Sequence, residues 1–274
     1  MQLASTRLGP ESASRNIVLL HGILGSGGNL RGLGRRLVEQ LPGTRVVLFD
    51  LRGHGDSANY ARSVGGPHTV RACVEDIDSA LRNLRFQADV VIGHSFGGKV
   101  ALLYAQMFPH GLRQAWALDS TPGIKRDAGG GEVGQVYKTL REVPTPFASR
   151  EAMLQALESR GIATGIARWM TTNLKREGDV YDWAFDLDVI GELLEDYFQE
   201  DIWPWLEARR GTPDIHLLRA LNRDRFSQAD ADHALGLPRA CRVTLHDLPN
   251  SGHWVHADNP DGLLEILTQE LAHG

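Results

Sequence analysis

The chain predicts an α/β fold in which a mostly parallel sheet is covered by helices on both faces. Three observations carry this. Short apolar runs alternate with amphipathic helical segments through the first 120 residues. Within residues 89–106 a β-branched run passes through a glycine-bracketed turn straight into a helix-like segment. Strand rhythm then returns near residue 215 after a long helical stretch. Strands buried on both faces read as unbroken apolar runs, and helices between them impose parallel crossovers.

Taken in order, residues 17–20 are a first apolar run closed by Gly22. A helix over about 29–40 follows, with Asn29 as the N-cap that takes an unpaired N–H. Residues 45–49 form a buried-type strand ending at Asp50. Val70, Cys73, Val74, Ile77, Leu81 and Leu84 recur at the helical period over 69–84, with Thr69 as cap. A strand at 90–92, a helix at 97–108 and a strand at 114–118 complete the series. From 121 to 210 no strand stands out, and helical patches cover 133–143, 150–159, 162–174 and 187–198. Strands resume at 215–218 and 241–245, and an amphipathic helix closes the chain over about 260–271. The expected organisation is an α/β core of residues 1–120 and 211–274 with a helical lid inserted at 121–210.

A chain of 274 residues with 42% hydrophobic and 23% charged residues has enough apolar surface for one large core. The net charge of −5 gives no reason to expect nucleic acid or an anionic membrane as partner. Cys73 and Cys241 are far apart and fit no paired framework, so both are expected as reduced core thiols. The N-terminus lacks the blocks of a secretory signal, and no apolar run approaches membrane-spanning length. The expectation is a cytoplasmic protein, or an organellar one that has lost a transit peptide, acting as a monomer or homodimer.

The chemistry concentrates in Gly93-His94-Ser95-Phe96-Gly97-Gly98. A serine at the apex of a strand–turn–helix stands clear of the sheet, and the following helix start offers free N–H groups to a developing oxyanion. A serine hydroxyl is a weak nucleophile until a base takes its proton. His253, in the glycine-flanked loop Ser251-Gly252-His253-Trp254 after the last strand, is a candidate for that base. Gly93 to Lys99 also fits most of a phosphate-binding loop, but Val100 stands where a metal-holding hydroxyl is required. His253-Trp254-Val255-His256 lacks the spacing of a zinc helix, so neither metal nor cofactor is expected. His54 and Asp56 lie in a glycine-rich turn that they are expected to shape, with Arg52 helping to order it.

Four blocks in this order resemble the α/β-hydrolase superfamily: His21-Gly22-Ile23-Leu24-Gly25-Ser26, then Asp50-Leu51-Arg52-Gly53-His54-Gly55-Asp56-Ser57, the Ser95 turn, and the His253 loop. Together with Ala117-Leu118-Asp119-Ser120 they look like the small esterase and thioesterase-like branch that includes YbfF-type and ABHD11-type hydrolases. The resemblance implies Ser95 as nucleophile, His253 as base, and an oxyanion hole from the backbone N–H groups of Phe96 and Ile23. For the orienting acid it leaves two candidates. Asp119 ends a strand soon after the Ser95 helix; Asp224 lies beyond the insertion, one place late, beside Arg223 and Arg225. Asp119 is favoured.

The implied activity is cleavage of carboxylic esters, or thioesters, of small to medium acyl groups through an acyl-serine. The alternatives are a cofactor-free perhydrolase or carbon–carbon hydrolase on the same triad, and a non-catalytic binding or protective partner. The insertion holds ten of the nineteen aromatic residues, Trp169, Trp183, Trp203 and Trp205 among them, and some are expected to wall the pocket. Between Glu177 and Asp201 lie ten acidic residues and no basic one, which weighs against a strongly anionic substrate.

Overall fold

A computed structural model describes residues 2–125, 131–222 and 225–273. The first half runs β1 (Ser5–Leu8), β2 (Arg15–Leu20), α1 (Arg31–Gln40), β3 (Thr44–Phe49), α2 (Ala58–Val64), α3 (Val70–Asn83), β4 (Val90–His94), α4 (Phe96–Met107) and β5 (Gln114–Leu118). The insertion contributes α5 (Glu132–Glu142), α6 (Arg150–Glu158), α7 (Thr164–Met170), β6 (Leu174–Glu177), β7 (Val180–Trp183), α8 (Leu187–Gln199) and α9 (Trp203–Ala208). The chain then returns through β8 (Asp214–Ala220), α10 (Gln228–Gly236), β9 (Val243–Leu248), α11 (Val255–Asp258) and α12 (Pro260–His273).

Seven of these strands form one sheet in the order β1-β3-β2-β4-β5-β8-β9, parallel except for β1 against β3. The unbroken apolar runs follow from burial on both sides. Ile17, Leu19, Val46, Leu48, Ile92 and Trp116 face α1 and α12, whereas Val18, Leu20, Val47, Phe49, Val91 and Ala117 lie under α3 and α4. Each buried aliphatic side chain is worth roughly 1.5–3 kcal/mol, so a one-residue slip of any strand is heavily penalised. In a parallel sheet the strand C-terminal ends share one edge, where β4, β5 and β8 deliver their loops.

The insertion packs into the same core. Val136, Leu140, Met153, Ile190, Leu193 and Leu206 are continuous with the buried residues of α3 and α4. Polar ties reinforce the seam. Lys99 of α4 is fully buried, and its ammonium donates to the carbonyls of Gly123, Tyr197 and Glu200 at 2.8, 2.7 and 2.7 Å. Asp196 of α8 accepts the N–H of Val70, the first residue of α3, at 2.7 Å. Asp186 pairs with Arg62 of α2.

Several local expectations shift. Residues 174–183 form the antiparallel hairpin β6–β7, turned at Gly178 with φ 62°, so the helix expected to reach Leu174 stops at Met170. Its polar, charged residues hide the strand pattern. Asn29 does not cap α1: a 3₁₀ turn over Gly27–Leu30 comes first, and the Asn29 side chain accepts the N–H of Ser26 at 2.7 Å. Thr69 does cap α3, accepting from Ala72 at 3.1 Å. The last strand begins at Val243 rather than Cys241, because Arg242 adopts a left-handed φ of 51° after a 3₁₀ turn. Cys73 and Cys241 are both buried and unpaired.

Candidate active site

The turn between β4 and α4 admits almost no side chains around its serine. A Cβ on Gly93 would stand 1.8 Å from the carbonyl oxygen of Gly97, and one on Gly97 would stand 2.5 Å from that of Leu20. Both glycines are therefore required by close backbone approach. Ser95 itself is held at φ 52°, ψ −116°, a left-handed conformation costing a non-glycine residue roughly 1–3 kcal/mol. Its N–H donates to Leu118 O at 2.9 Å, and its carbonyl accepts Gly98 N–H at 2.8 Å. The strain turns the hydroxyl toward the sheet's C-terminal edge, beside Phe96, whose N–H opens α4 without a partner from within the helix.

Two other strand ends converge on that hydroxyl. Nε2 of His253, from the loop after β9, lies 3.1 Å from Ser95 Oγ. Its Nδ1 lies 2.6 Å from Oδ2 of Asp119, which follows β5. Asp119 is also held at a left-handed φ, 47°, with its N–H donated to Leu218 O at 2.7 Å and its Oδ1 accepting Ala220 N–H at 3.1 Å. Its carboxylate is closed to solvent. Burial pushes its pKa up, while the Ala220 N–H and the nearby His94, Arg225 and Lys125 oppose that rise. Asp224, the second candidate acid, lies outside the described residues.

His94 is a functional position the sequence reading passed over. Its Nε2–H donates to the backbone carbonyl of His253 at 2.7 Å, and its ring sits 4.8 Å from that of His253. Burial and the neighbouring His253 and His256 hold its pKa well below the usual histidine value, which leaves it a neutral donor. The clue was its place one residue before Ser95, where a strand-end side chain meets the neighbouring loops.

The loop carrying Ile23 is braced by two buried histidines with the same division of labour. His21 donates through Nδ1 to Gly22 O at 2.8 Å and accepts Leu51 N–H at Nε2 at 3.0 Å. His54 donates to Arg52 O at 2.9 Å and accepts Leu24 N–H at 3.1 Å. Burial lowers both pKa values, so each ring keeps one donor and one acceptor nitrogen. Arg52 grips Asp76 through two hydrogen bonds of 2.6 and 2.8 Å, and Asp50 accepts from Gly27 and Asp56 at 2.7 and 2.8 Å. The Asp50–Ser57 block therefore builds the support of the Ile23 loop, and neither His54 nor Asp56 reaches Ser95 by a hydrogen bond among the described residues.

Ser95, Ile23, Phe96 and His253 open onto one cavity, walled mainly by apolar side chains from the core and the insertion. Of the four tryptophans among which some were expected to face it, Trp169 does, 5.8 Å from the ring of Trp254. The others have different partners: Trp183 stacks on Phe185, Trp203 on His233, and Trp205 lies under Arg209. From α8 the cavity receives Leu194, Tyr197 and Phe198. The acidic residues of that segment turn elsewhere, Asp188 to Arg141, Glu192 to His68 N–H, Asp196 to α3. The inference from them against an anionic substrate is therefore corrected. Among the described residues no group of three or more histidine, cysteine or acidic side chains is arranged to hold a metal, and no helix is long and apolar enough to cross a membrane.

Comparison with known proteins accords with this geometry. The model of the alpha/beta hydrolase family matches residues 17–266. The sn-1-specific diacylglycerol lipase ABHD11 of Mus musculus is 27% identical over 266 residues, spanning 93% of this chain and 80% of that protein. Esterase YbfF of Escherichia coli K12 is 24% identical over 263 residues, 93% of this chain and 92% of its own. Among solved structures, a marine microorganism esterase superposes with a TM-score of 0.80 at 19% identity, over 98% of both chains. At that identity the superposition speaks for the fold.

Proposed function

The chain belongs to the alpha/beta hydrolase family and is a carboxylic ester hydrolase, and on that premise we propose that it works through an acyl-serine intermediate on Ser95. The observation that carries the reading is the hydrogen-bonded chain Ser95–His253–Asp119 opening onto an apolar cavity. Ser95 Oγ attacks the ester carbonyl carbon while its proton passes to His253 Nε2. The N–H groups of Phe96 and Ile23 receive the carbonyl oxygen as it gains charge, each such donor being worth roughly 3–4 kcal/mol. His253 then gives the proton to the departing alcohol. Water repeats the sequence on the acyl-serine and releases the acid. Asp119 holds Nδ1–H in place and stabilises the imidazolium.

The apolar wall favours small to medium acyl groups, and a thioester meets the same attack. Residues 121–210 serve as a lid over a core formed by 1–120 and 211–274, selecting the acyl group through Trp169, Leu194 and Phe198. The test is a fluorophosphonate probe together with turnover of p-nitrophenyl acetate. Labelling and turnover should both vanish in Ser95→Ala, and turnover persisting within tenfold would end the assignment.

A further inference from the structure

Among the described residues, two cationic groups line the cavity around Ser95: Lys125, after β5, and Arg225, after β8. They are not equivalent. Arg225 is paired, its Nη2 2.9 Å from Oε2 of Glu132 at the start of α5. Lys125 donates its backbone N–H to Phe198 O at 2.9 Å, but among the described residues its ammonium has neither a hydrogen bond nor an ion pair. Burial and Arg225 lower its pKa, with Asp119 and Asp230 opposing.

A partly desolvated ammonium without a partner is costly, and an anion supplied by a ligand removes that cost. Among the described residues, none in the cavity supplies it. Glu132 is the one carboxylate lining the cavity among the described residues, and it is engaged by Arg225. Asp119 is committed to His253 and to Ala220 N–H. The acidic residues of α8 face away.

We infer that Lys125, with Arg225 beside it, binds a carboxylate on the substrate, so that the preferred esters carry a negative charge on the acyl or alcohol part. This rests on the ester hydrolase reading and narrows its substrate class. The cation also lies near enough to Asp119 to favour its ionised form, a role that would affect every substrate alike. Charge recognition affects only the charged ones.

The discriminating pair is ethyl butyrate and monoethyl succinate, in which a carboxylate replaces the terminal methyl. Acid release is followed by pH-stat with the purified protein. Wild type should show a kcat/KM at least tenfold higher for monoethyl succinate. Lys125→Met should lower that ratio at least tenfold through the KM of the charged ester, and Lys125→Arg should keep most of it. Equal falls for both esters would assign Lys125 to Asp119 alone and overturn the proposal. So would a wild type that hydrolyses ethyl butyrate without preferring the charged ester. Inactivity on both esters, with Ser95 unlabelled by fluorophosphonate, would instead remove the hydrolase reading. A measurement independent of any variant is inhibition of ethyl butyrate turnover. Succinamate should inhibit at concentrations at least tenfold lower than neutral succinamide, and equal potency would overturn the proposal.

Discussion

Replacing Asp119 by Asn changes one atom and, on this geometry, reverses the polarity of a whole hydrogen-bond chain. Oδ1 accepts the N–H of Ala220 at 3.1 Å, and an amide NH₂ placed there would set donor against donor. The amide must therefore keep its oxygen on Ala220 and turn its NH₂ toward His253 Nδ1, 2.6 Å away in the parent. That nitrogen must then accept, which moves the ring proton to Nε2, where it faces Ser95 Oγ. The base is left in the tautomer that cannot take the serine proton. The expected loss in kcat is roughly 10²–10⁴-fold, about 2.7–5.5 kcal/mol of transition-state stabilisation. Stability should hold or rise, because a buried charge is replaced by a neutral group of the same shape. The assay is p-nitrophenyl acetate turnover with a thermal melt of each protein. Turnover within tenfold of wild type, at unchanged melting temperature, would refute the reasoning. Asp224→Asn should cost less than tenfold, and the reverse ranking would transfer the role.

Four further outcomes are expected. His253→Ala should abolish turnover while the protein still melts cooperatively near the wild-type temperature; retained turnover would remove it as the base. Lys99→Met should lower unfolding free energy by about 2–5 kcal/mol in urea titration, because three carbonyls lose their donor inside the core. Trp169→Ala should reorder the rates of C2 to C10 esters, by up to roughly 1–3 kcal/mol per methylene, whereas Trp203→Ala and Trp205→Ala should leave the order intact. Acid should destabilise the fold. His216 is buried against Trp116 and its pKa is pushed down to about 3, so the unfolded chain takes up its proton first as pH falls below 6.5. Its contribution is present above that pH and about 2 kcal/mol of it is gone at pH 5, with His54 and His94 acting in the same direction. Equal melting temperatures at pH 7 and pH 5 would contradict this.

What was legible in the chain follows from how locally each feature is encoded. The central strands were readable because burial on both faces makes them continuous apolar runs, and the Ser95 turn because its glycines stand between an apolar run and a helical segment in one short stretch, although the clash that requires Gly97 comes from the distant Leu20 carbonyl. Asp119 was within reach for a related reason, since a carboxylate ending a parallel strand falls on the loop edge. The β6–β7 hairpin escaped because Lys175, Arg176, Glu177 and Asp179 give it a polar surface without an apolar alternation. Trp203 and Trp205 were read as pocket candidates from composition, which cannot distinguish a side chain over the cavity from one stacked on a neighbouring helix. Lys125 and Arg225 were invisible as a pair. They are a hundred residues apart, and only the adjacency of β5 and β8 brings them to one wall.

The seam between insertion and sheet has a consequence for anyone who would exchange one for another. Because Val136, Leu140, Ile190 and Leu206 share a single apolar cluster with Phe96, Val100 and Leu103, the insertion is not a detachable module resting on a finished surface. Excising it would strip the roof from the helix that follows Ser95 and leave the Lys99 ammonium without the carbonyls of Gly123, Tyr197 and Glu200. A graft from a relative must therefore bring carbonyls to the tip of Lys99, an acid to the N-terminus of α3, and side chains shaped to α4. The insertion's inner face both lines the cavity and packs against the core, so a library that varies it perturbs folding along with the cavity wall.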